Sequence, residues 1–446
     1  MGQCVQRRLG RPGVGALVAM LGVTAALPQQ TQPRQVHYQA PPVSFEEWVW
    51  EDPGGDAQQV EVRRGEVLRV VVPGKGNDFD KDSNFGAPRK LAYVYGDFAL
   101  QAQVSAEPLR YYQGAGILAY MDPDLYVRLE KNASSASGIA GPGVCLEVRQ
   151  DTGYWSAGSM PTDAPTLYLR LERTGPDFLA LVSPDGQRWT ELGALHLPEA
   201  PRAALVGIVA CAEHDAPVFP VGFGQCFFDD HYVGPEPFAL PFAPAQARTR
   251  FRDEFEKEVQ AGWIWEDPDQ DCESSLDPDT ASLHLHVPVA EKPHVLAKAQ
   301  EGHNAPRLVV KVRGDFVAQT RVTVSGEDWP TAAGLLVYSS HDVLAAMEVD
   351  LRPVLESWRR LQEGRPQSGW WRLPTGAIEL RMARRGPLVL YYWRAPEAQG
   401  WEPLVGSWLP LTPEAYVGLY AVNEAGDVPC DAYFDYFELL TWQPQL

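Results

Sequence analysis

Apolar residues in this chain recur mostly at every second position. In DFALQAQVSA, Phe98, Leu100, Ala102 and Val104 fall on one side and polar residues mostly on the other, the period of a half-buried β-strand. TLYLRLER (166–173) and AIELRMAR (377–384) read the same way. Turn signals such as SPDGQ at Ser183 to Gln187 separate the runs, with Trp189 opening the next one. Short strands, frequent turns and no sustained helical period predict an all-β chain built as a sandwich or jelly roll. The stretch RPVLESWRRLQEG at 352–364 departs from this pattern and predicts a short inserted helix.

The pattern also repeats. WVWEDPGGD (48–56) returns as WIWEDPDQD (263–271), and the order of later markers is preserved. Gly96 to Phe98 matches Gly314 to Phe316, GAGILAY ending at Tyr120 matches AAGLLVY ending at Tyr338, and LRLERTG (169–175) matches LRMARRG (380–386). Trp189 and Trp401 follow, then LVGIVA against YVGLYA around Gly207 and Gly418, and FFDDHYV against YFDYFEL around Asp229 and Asp435. Two tandem antiparallel β-sandwich domains are therefore expected at 45–234 and 251–442. A Pro- and Ala-rich linker at 235–250 joins them.

Composition agrees. With 39 Gly, 39 Pro, 14 Trp and 17 Tyr, the chain has the turn residues and large aromatics of a strand-and-loop protein. A net charge of -20, spread along the chain, repels phosphate backbones, so no nucleic-acid partner is expected. Arg7, Arg8 and Arg11 precede an apolar run from Val14 to Leu27, which reads as a signal peptide at 1–27. A flexible lead-in at 28–44 follows it. The apolar run is shorter than a membrane span, and no later one is longer, so a secreted, periplasmic or cell-surface protein is expected. Cys145, Cys211, Cys226, Cys272 and Cys430 remain after removal of the signal. Cys211 and Cys226 lie in successive strand-like runs and form the candidate disulfide.

These markers, in this order, resemble the concanavalin A-like lectin/glucanase superfamily. Within it they resemble a bacterial domain of unknown function related to the sandwich at the C-terminus of β-xylosidases. The resemblance spans nearly the whole mature chain and rests on framework residues, so it speaks for fold more than for activity. It implies two curved antiparallel sheets per domain, with a concave face that in relatives often receives a sugar. Some relatives hold a structural calcium ion near the closing strand, which makes Asp229 and Asp435 candidate ligands. Calcium takes six to eight oxygens, so two carboxylates alone do not define a site. No other cofactor is expected.

Superfamily glucanases carry paired carboxylates on one strand. Here Glu130 with Asn132, and Glu348 with Asp350, stand two apart and so share a face. Only the second pair has two carboxylates, and neither continues into the Glu-x-Asp-x-x-Glu run those enzymes resemble. Glu130, Glu348 and Asp350 are thus the candidates for catalysis, with a hydrogen-bonded strand carboxylate as the plainer reading. Arg170 and Arg381 hold equivalent positions and are expected to pair with Glu130 and Glu348 across the sheet. Arg128 and Glu147 share the first unit's candidate face.

Adjacent aromatics in a strand point to opposite sides, so one of each pair leaves the core. Tyr111, Tyr112, Tyr154 and Trp155, with Arg128, form the candidate ligand surface of the first unit. Trp370, Trp371, Tyr392 and Trp393, beside Tyr391, form that of the second. Trp48, Trp50, Trp263 and Trp265 are expected to pack at the sandwich edge. His284 and His286 alternate in LHLHV downstream of Cys272, and two ligands without a third read as exposed strand histidines. Asn132-Ala133-Ser134 matches a glycosylation sequon.

The expected function is noncatalytic carbohydrate binding or cell-surface association. The alternatives are a glycoside-acting enzyme using Glu348 and Asp350, or a structural module with an extracellular protein partner.

Overall fold

The computed structural model describes residues 34–35, 45, 48–62, 67–74, 76–80, 85–108, 110, 113–133, 141–150, 153–212, 216–296, 303–325, 331–340, 342–352, 354–361 and 367–442. All regular structure among them is strand, apart from a 3-10 turn at Pro244–Gln246 and a second such residue at Phe45. None of these residues belongs to a helix long and apolar enough to cross a membrane. The signal-peptide segment lies outside the described residues, as do Tyr111, Tyr112 and Ser134. Within the lead-in, Arg34–Gln35 pairs with Arg188 and Trp189.

Each half builds a sandwich, and the strand order is the same in both. The first half's seven-stranded sheet runs Gly153–Pro161, Gly143–Gln150, Leu125–Asn132, Gln113–Asp122, Ala203–Ala212, Arg89–Tyr95, Val49–Glu51. The second repeats it as Gln367–Arg372, Val354–Leu361, Val343–Asp350, Thr331–Ser340, Glu414–Asn423, Arg307–Arg313, Ile264–Glu266. Alternation decides what each sheet buries: Ile117, Val127, Leu129, Leu146 and Val206 turn inward in the first half, Leu335, Met347 and Val417 in the second. Every ladder is antiparallel.

The opposite sheets of the two sandwiches are one sheet. Strand Arg188–His196 at the edge of the first half pairs with Glu402–Trp408 at the edge of the second, giving one sixteen-stranded sheet, fourteen of its strands in a single continuous order. Gly193 faces Ser407, Ala194 faces Gly406, and Leu195 faces Val405. With Trp189 aligned to Trp401, Ala194 and Gly406 are equivalent positions. The seam therefore joins the same strand of both copies about a local two-fold axis, the arrangement of an isologous dimer within one chain. Pairing removes both exposed edges at this place, which otherwise invite association with other chains. Gly158 lies where the first half's two sheets meet beside the seam; a Cβ there would come within 2.2 Å of the Leu192 carbonyl oxygen, so close approach requires glycine.

The linker is part of this construction. Phe238 and Phe242 are buried on the outer side of the continuous sheet, among Leu179, Leu181, Leu388 and Leu390. Arg385 ties the layers, donating to Glu191 at 2.7 Å and to the carbonyls of Ala239 at 2.8 Å and Pro237 at 3.0 Å. By residue 247 the chain is already a strand, Ala247–Asp253, pairing with Cys430–Trp442.

Three expectations are corrected. Residues 354–361 form a strand between Val343–Asp350 and Gln367–Arg372, not a helix; cross-strand pairing on both sides outweighs the helical propensity of its Leu, Glu and Arg residues. Cys211 and Cys226 are both free and buried. Cys211 belongs to a seven-stranded sheet and Cys226 to the sixteen-stranded one, so succession in sequence does not bring their sulfurs together. Arg170 pairs with Glu172 on its own strand at 2.6 Å, and Arg381 donates to Gln319 and lies 3.8 Å over the Trp401 ring. Both belong to the sheet opposite Glu130 and Glu348, which precludes the expected salt bridges.

Candidate functional site

The outward face of each seven-stranded sheet carries the chemistry. Because Val127, Leu129, Leu146 and Val148 face the core, Arg128, Glu130, Cys145 and Glu147 face away from it. Arg128 and Glu147 stand directly opposite on neighbouring strands, as do Glu130 and Cys145. Arg128 donates to Glu147 at 2.7 Å, to the Tyr154 hydroxyl at 2.7 Å and to Cys211 Sγ at 3.3 Å. Tyr154 in turn donates to Glu147. Asn132 donates to Glu130 Oε1 at 3.0 Å, and Glu130 Oε2 lies 3.2 Å from Arg128 Nε. Gly114 makes room, since a Cβ there would lie 2.7 Å from the Glu130 carboxylate.

This cluster is sealed: Arg128 is 6% exposed, Glu130 3% and Glu147 1%. Residues 76–80 and 85–88 roof the adjoining part of the face, where Phe79 meets Phe85, Tyr120 and Tyr126 edge-on at 5.0–5.7 Å and its carbonyl accepts the Tyr126 hydroxyl. Burial pushes the Glu130 carboxyl up to about 7, against the pull of Arg128 and with a further push from Glu147. Burial likewise drives the Cys145 and Cys211 thiols well above their ordinary range, which leaves them neutral and unreactive. A proton-bearing carboxyl beside an ion-paired one is an acid–base layout, here closed to solvent.

The second unit keeps the positions and changes the groups. Ala346 and Trp358 take the register of Arg128 and Glu147, and Glu348 and Glu356 that of Glu130 and Cys145. Tyr420 donates to Glu348. Asp350 is occupied at the turn, accepting from the Arg352 and Val354 backbones at 2.9 Å and from the Arg352 guanidinium. The two carboxylates of the expected catalytic pair are thus each held by a different partner, Asp350 by the turn and Glu348 by Tyr420.

Most of the expected aromatic residues whose side chains are described are packing. Trp155 and Trp371 meet edge-on at 5.7 Å where the two units adjoin, and Trp393 packs against the core. Tyr392 is buried, its hydroxyl donating to the Phe238 carbonyl at 2.7 Å under the linker. Trp370 holds a strand position opposite Glu356, and its side chain lies outside the description. Among the described binding candidates, Arg128 and Tyr154 meet on the outward face of the first unit, and Trp155 and Trp371 meet at the junction of the units. Trp48 packs on Phe45 and Phe228, and Trp263 on Phe251, Phe255 and Phe437. Asp229 caps a turn through the His231 backbone, and Asp435 accepts from Arg321 at 3.3 Å.

A repeated trio went unread in the sequence. Glu51 accepts from Arg89 at 2.7 Å, and Glu266 from Arg307. Tyr338 donates to Glu266 at 2.8 Å, and its first-unit counterpart Tyr120 lies in the field of Arg89 and Glu51, its hydroxyl raised by burial. The signal was present as Ala-Pro-Arg at 87–89 and again at 305–307, each following a Trp-Glu-Asp-Pro marker. Also unread were Tyr93 and Tyr95, 69% and 63% exposed on the outward face of Arg89–Tyr95. Leu205 stands opposite both Tyr93 and Tyr120, so the aromatic row crosses three strands.

Residues 58–226 match the family described as protein of unknown function DUF1349. The match lies within the first unit. No curated protein is significantly similar to the chain. Among solved structures, a functionally unknown protein from Saccharomyces cerevisiae is 14% identical, with 42% of this chain and 98% of that one covered and a TM-score of 0.35. The xylan β-1,4-xylosidase from Bacillus halodurans C-125 is 12% identical over 86% of this chain and 98% of its own, with a TM-score of 0.34. The family GH16 non-specific endo-β-1,3(4)-glucanase SCLam is 11% identical over 47% and 95%, with a TM-score of 0.33. Similarity at this level does not extend to the activities of those proteins.

Proposed function

We propose that the protein is exported and binds a carbohydrate without cleaving it, on the outward face of the first unit's seven-stranded sheet. The observation that carries this reading is the open row of Tyr93 and Tyr95, continued by Leu205 and Tyr120. Flat apolar rings on a rigid strand suit the apolar face of a pyranose, and polar groups at the rim supply orientation. Arg202 lies 5.0 Å over the Tyr95 ring and holds it. The charged groups of the same face are engaged with one another and buried, which supports binding over catalysis. Retention of the purified chain on β-glucans and xylans is expected, weakened at least ~10-fold in Tyr93→Ala/Tyr95→Ala, about the worth of two stacking contacts. Failure to bind any polysaccharide, or unchanged binding by the double variant, overturns the proposal.

One observation favours a second reading, glycoside hydrolysis with Glu130 as acid and Glu147 as its partner: the Glu130 carboxyl stands at about 7 beside an ion-paired carboxylate. That reading requires release of reducing sugar by the purified protein and its loss in Glu130→Gln.

A further inference from the structure

His284 and His286 lie on strand Ser282–Val287, whose Leu283, Leu285 and Val287 are fully buried, so both imidazoles point away from the sandwich core. The strand pairs with Cys430–Trp442, and the register sets Asp431 directly beside His286 and Tyr433 beside His284. His284 stacks flat on Tyr433, with ring centres 4.7 Å apart and planes 6° from parallel, which fixes its orientation. Both rings aim at one carboxylate oxygen: His284 Nε2 lies 2.7 Å and His286 Nδ1 2.8 Å from Asp431 Oδ1. One donor atom from each of the three residues falls within 4.8 Å of the others.

We propose that His284, His286 and Asp431 bind a divalent transition-metal ion of the zinc class. Two imidazoles and a carboxylate suit zinc, cobalt, nickel or copper far better than calcium or magnesium, which prefer all-oxygen shells. A tetrahedral zinc with bonds of about 2.0–2.2 Å places its ligand atoms about 3.3 Å apart, so each imidazole nitrogen, now 2.7 or 2.8 Å from the Asp431 oxygen, need move only about half an ångström from it. The side chains are 23%, 35% and 29% exposed, which gives both that freedom and a path for entry. Glu273, across the other ladder from His286, stands at the register for a fourth ligand. The ion then clips together three strands, Glu273–Asp277, Ser282–Val287 and Cys430–Trp442, at the outer edge of the sixteen-stranded sheet. The first unit has Gln58, Arg69, Val71 and Pro220 at the corresponding register, a set without such donors.

A second donor cluster, Asp271, Cys272 and His294, is the competitor to separate. There His294 is fully buried, with one ring nitrogen 2.9 Å from Asp271 and the other 3.1 Å from Asn423, an arrangement already complete as structure.

The full chain, stripped with chelator, is titrated with zinc chloride by calorimetry and with cobalt chloride by visible absorption. One zinc per chain and a tetrahedral cobalt spectrum are expected. His286→Ala and Asp431→Asn each weaken binding at least ~10-fold, while Cys272→Ser binds as the parent does. Circular dichroism confirms that each variant is folded, and His284→Gln serves if another is not. Absence of zinc binding overturns the proposal; so does parental affinity in the folded His286 or Asp431 variant, or loss of binding in Cys272→Ser.

Discussion

The two units share their strand order and differ on their faces. Strand for strand, Gln113–Asp122 corresponds to Thr331–Ser340 and Ala203–Ala212 to Glu414–Asn423, with the same neighbours. Yet the first unit buries an ionic cluster around Arg128, where the second has Ala346 and a glutamate held by Tyr420. The converse holds on the sixteen-stranded sheet, where the second unit presents His284, His286 and Asp431 and the first presents Arg69, Val71 and Pro220. Inward residues of a strand are constrained by packing against the opposite sheet, so duplication leaves them apolar. Outward residues meet fewer such constraints, and there, apart from the repeated Glu51–Arg89 and Glu266–Arg307 pairs with their tyrosines, the copies have diverged.

The sharpest way to break this comparison is to remove the ionic centre of the first unit. Arg128→Ala leaves Glu147 buried beside Glu130 with no cation, and a loss of about 3–5 kcal/mol is expected in chemical denaturation. Replacing Arg128 and Glu147 together by Leu restores most of it, since the second unit manages with Ala and Trp at those positions. A double variant as unstable as the single one refutes this account of the cluster.

The pH dependence should differ as well. Glu130 carries a folded-state pKa of about 7, above the 4.5 of the free side chain. An acid with a raised folded-state pKa contributes fully below the unfolded value, and its contribution is lost as pH rises through the folded one. Between pH 4.5 and 7 the wild-type protein therefore loses up to about 3 kcal/mol through this group. Glu130→Gln is expected to flatten that part of the stability profile, and an unchanged slope refutes the assignment.

The smallest effect concerns the seam that unites the copies. Arg385→Ala removes an ion pair with Glu191 and two carbonyl contacts to the linker, all at partly exposed positions, and about 1 kcal/mol is expected. The loss should appear as earlier proteolysis between residues 235 and 246, with the two sandwiches otherwise intact. Protection equal to wild type means that the linker is held by Phe238 and Phe242 alone.

The sequence by itself determined the class and its doubling. Alternation at Phe98, Leu100, Ala102 and Val104 is a local property, and the recurrence of Trp-Glu-Asp-Pro, Gly-Asp-Phe and Leu-Arg is visible without coordinates. What only the tertiary structure decided is which outward face stays open and which partners meet on it. Period two says that Tyr93 and Tyr95 share a side, but not that Phe79 and Phe85 cover Tyr126 while those two tyrosines stay exposed. It aligns His284 with His286, but Asp431 arrives from 145 residues further on. It says that one of each adjacent aromatic pair leaves the core, but not that Trp155 and Trp371 stay inward opposite Val148 and Leu355 and meet each other, while Tyr392 leaves and is buried under the linker. Register across a ladder, and the joining of two sheets through Ala194 and Gly406, are long-range facts, fixed by cross-strand hydrogen bonds and packing rather than by neighbours in the chain.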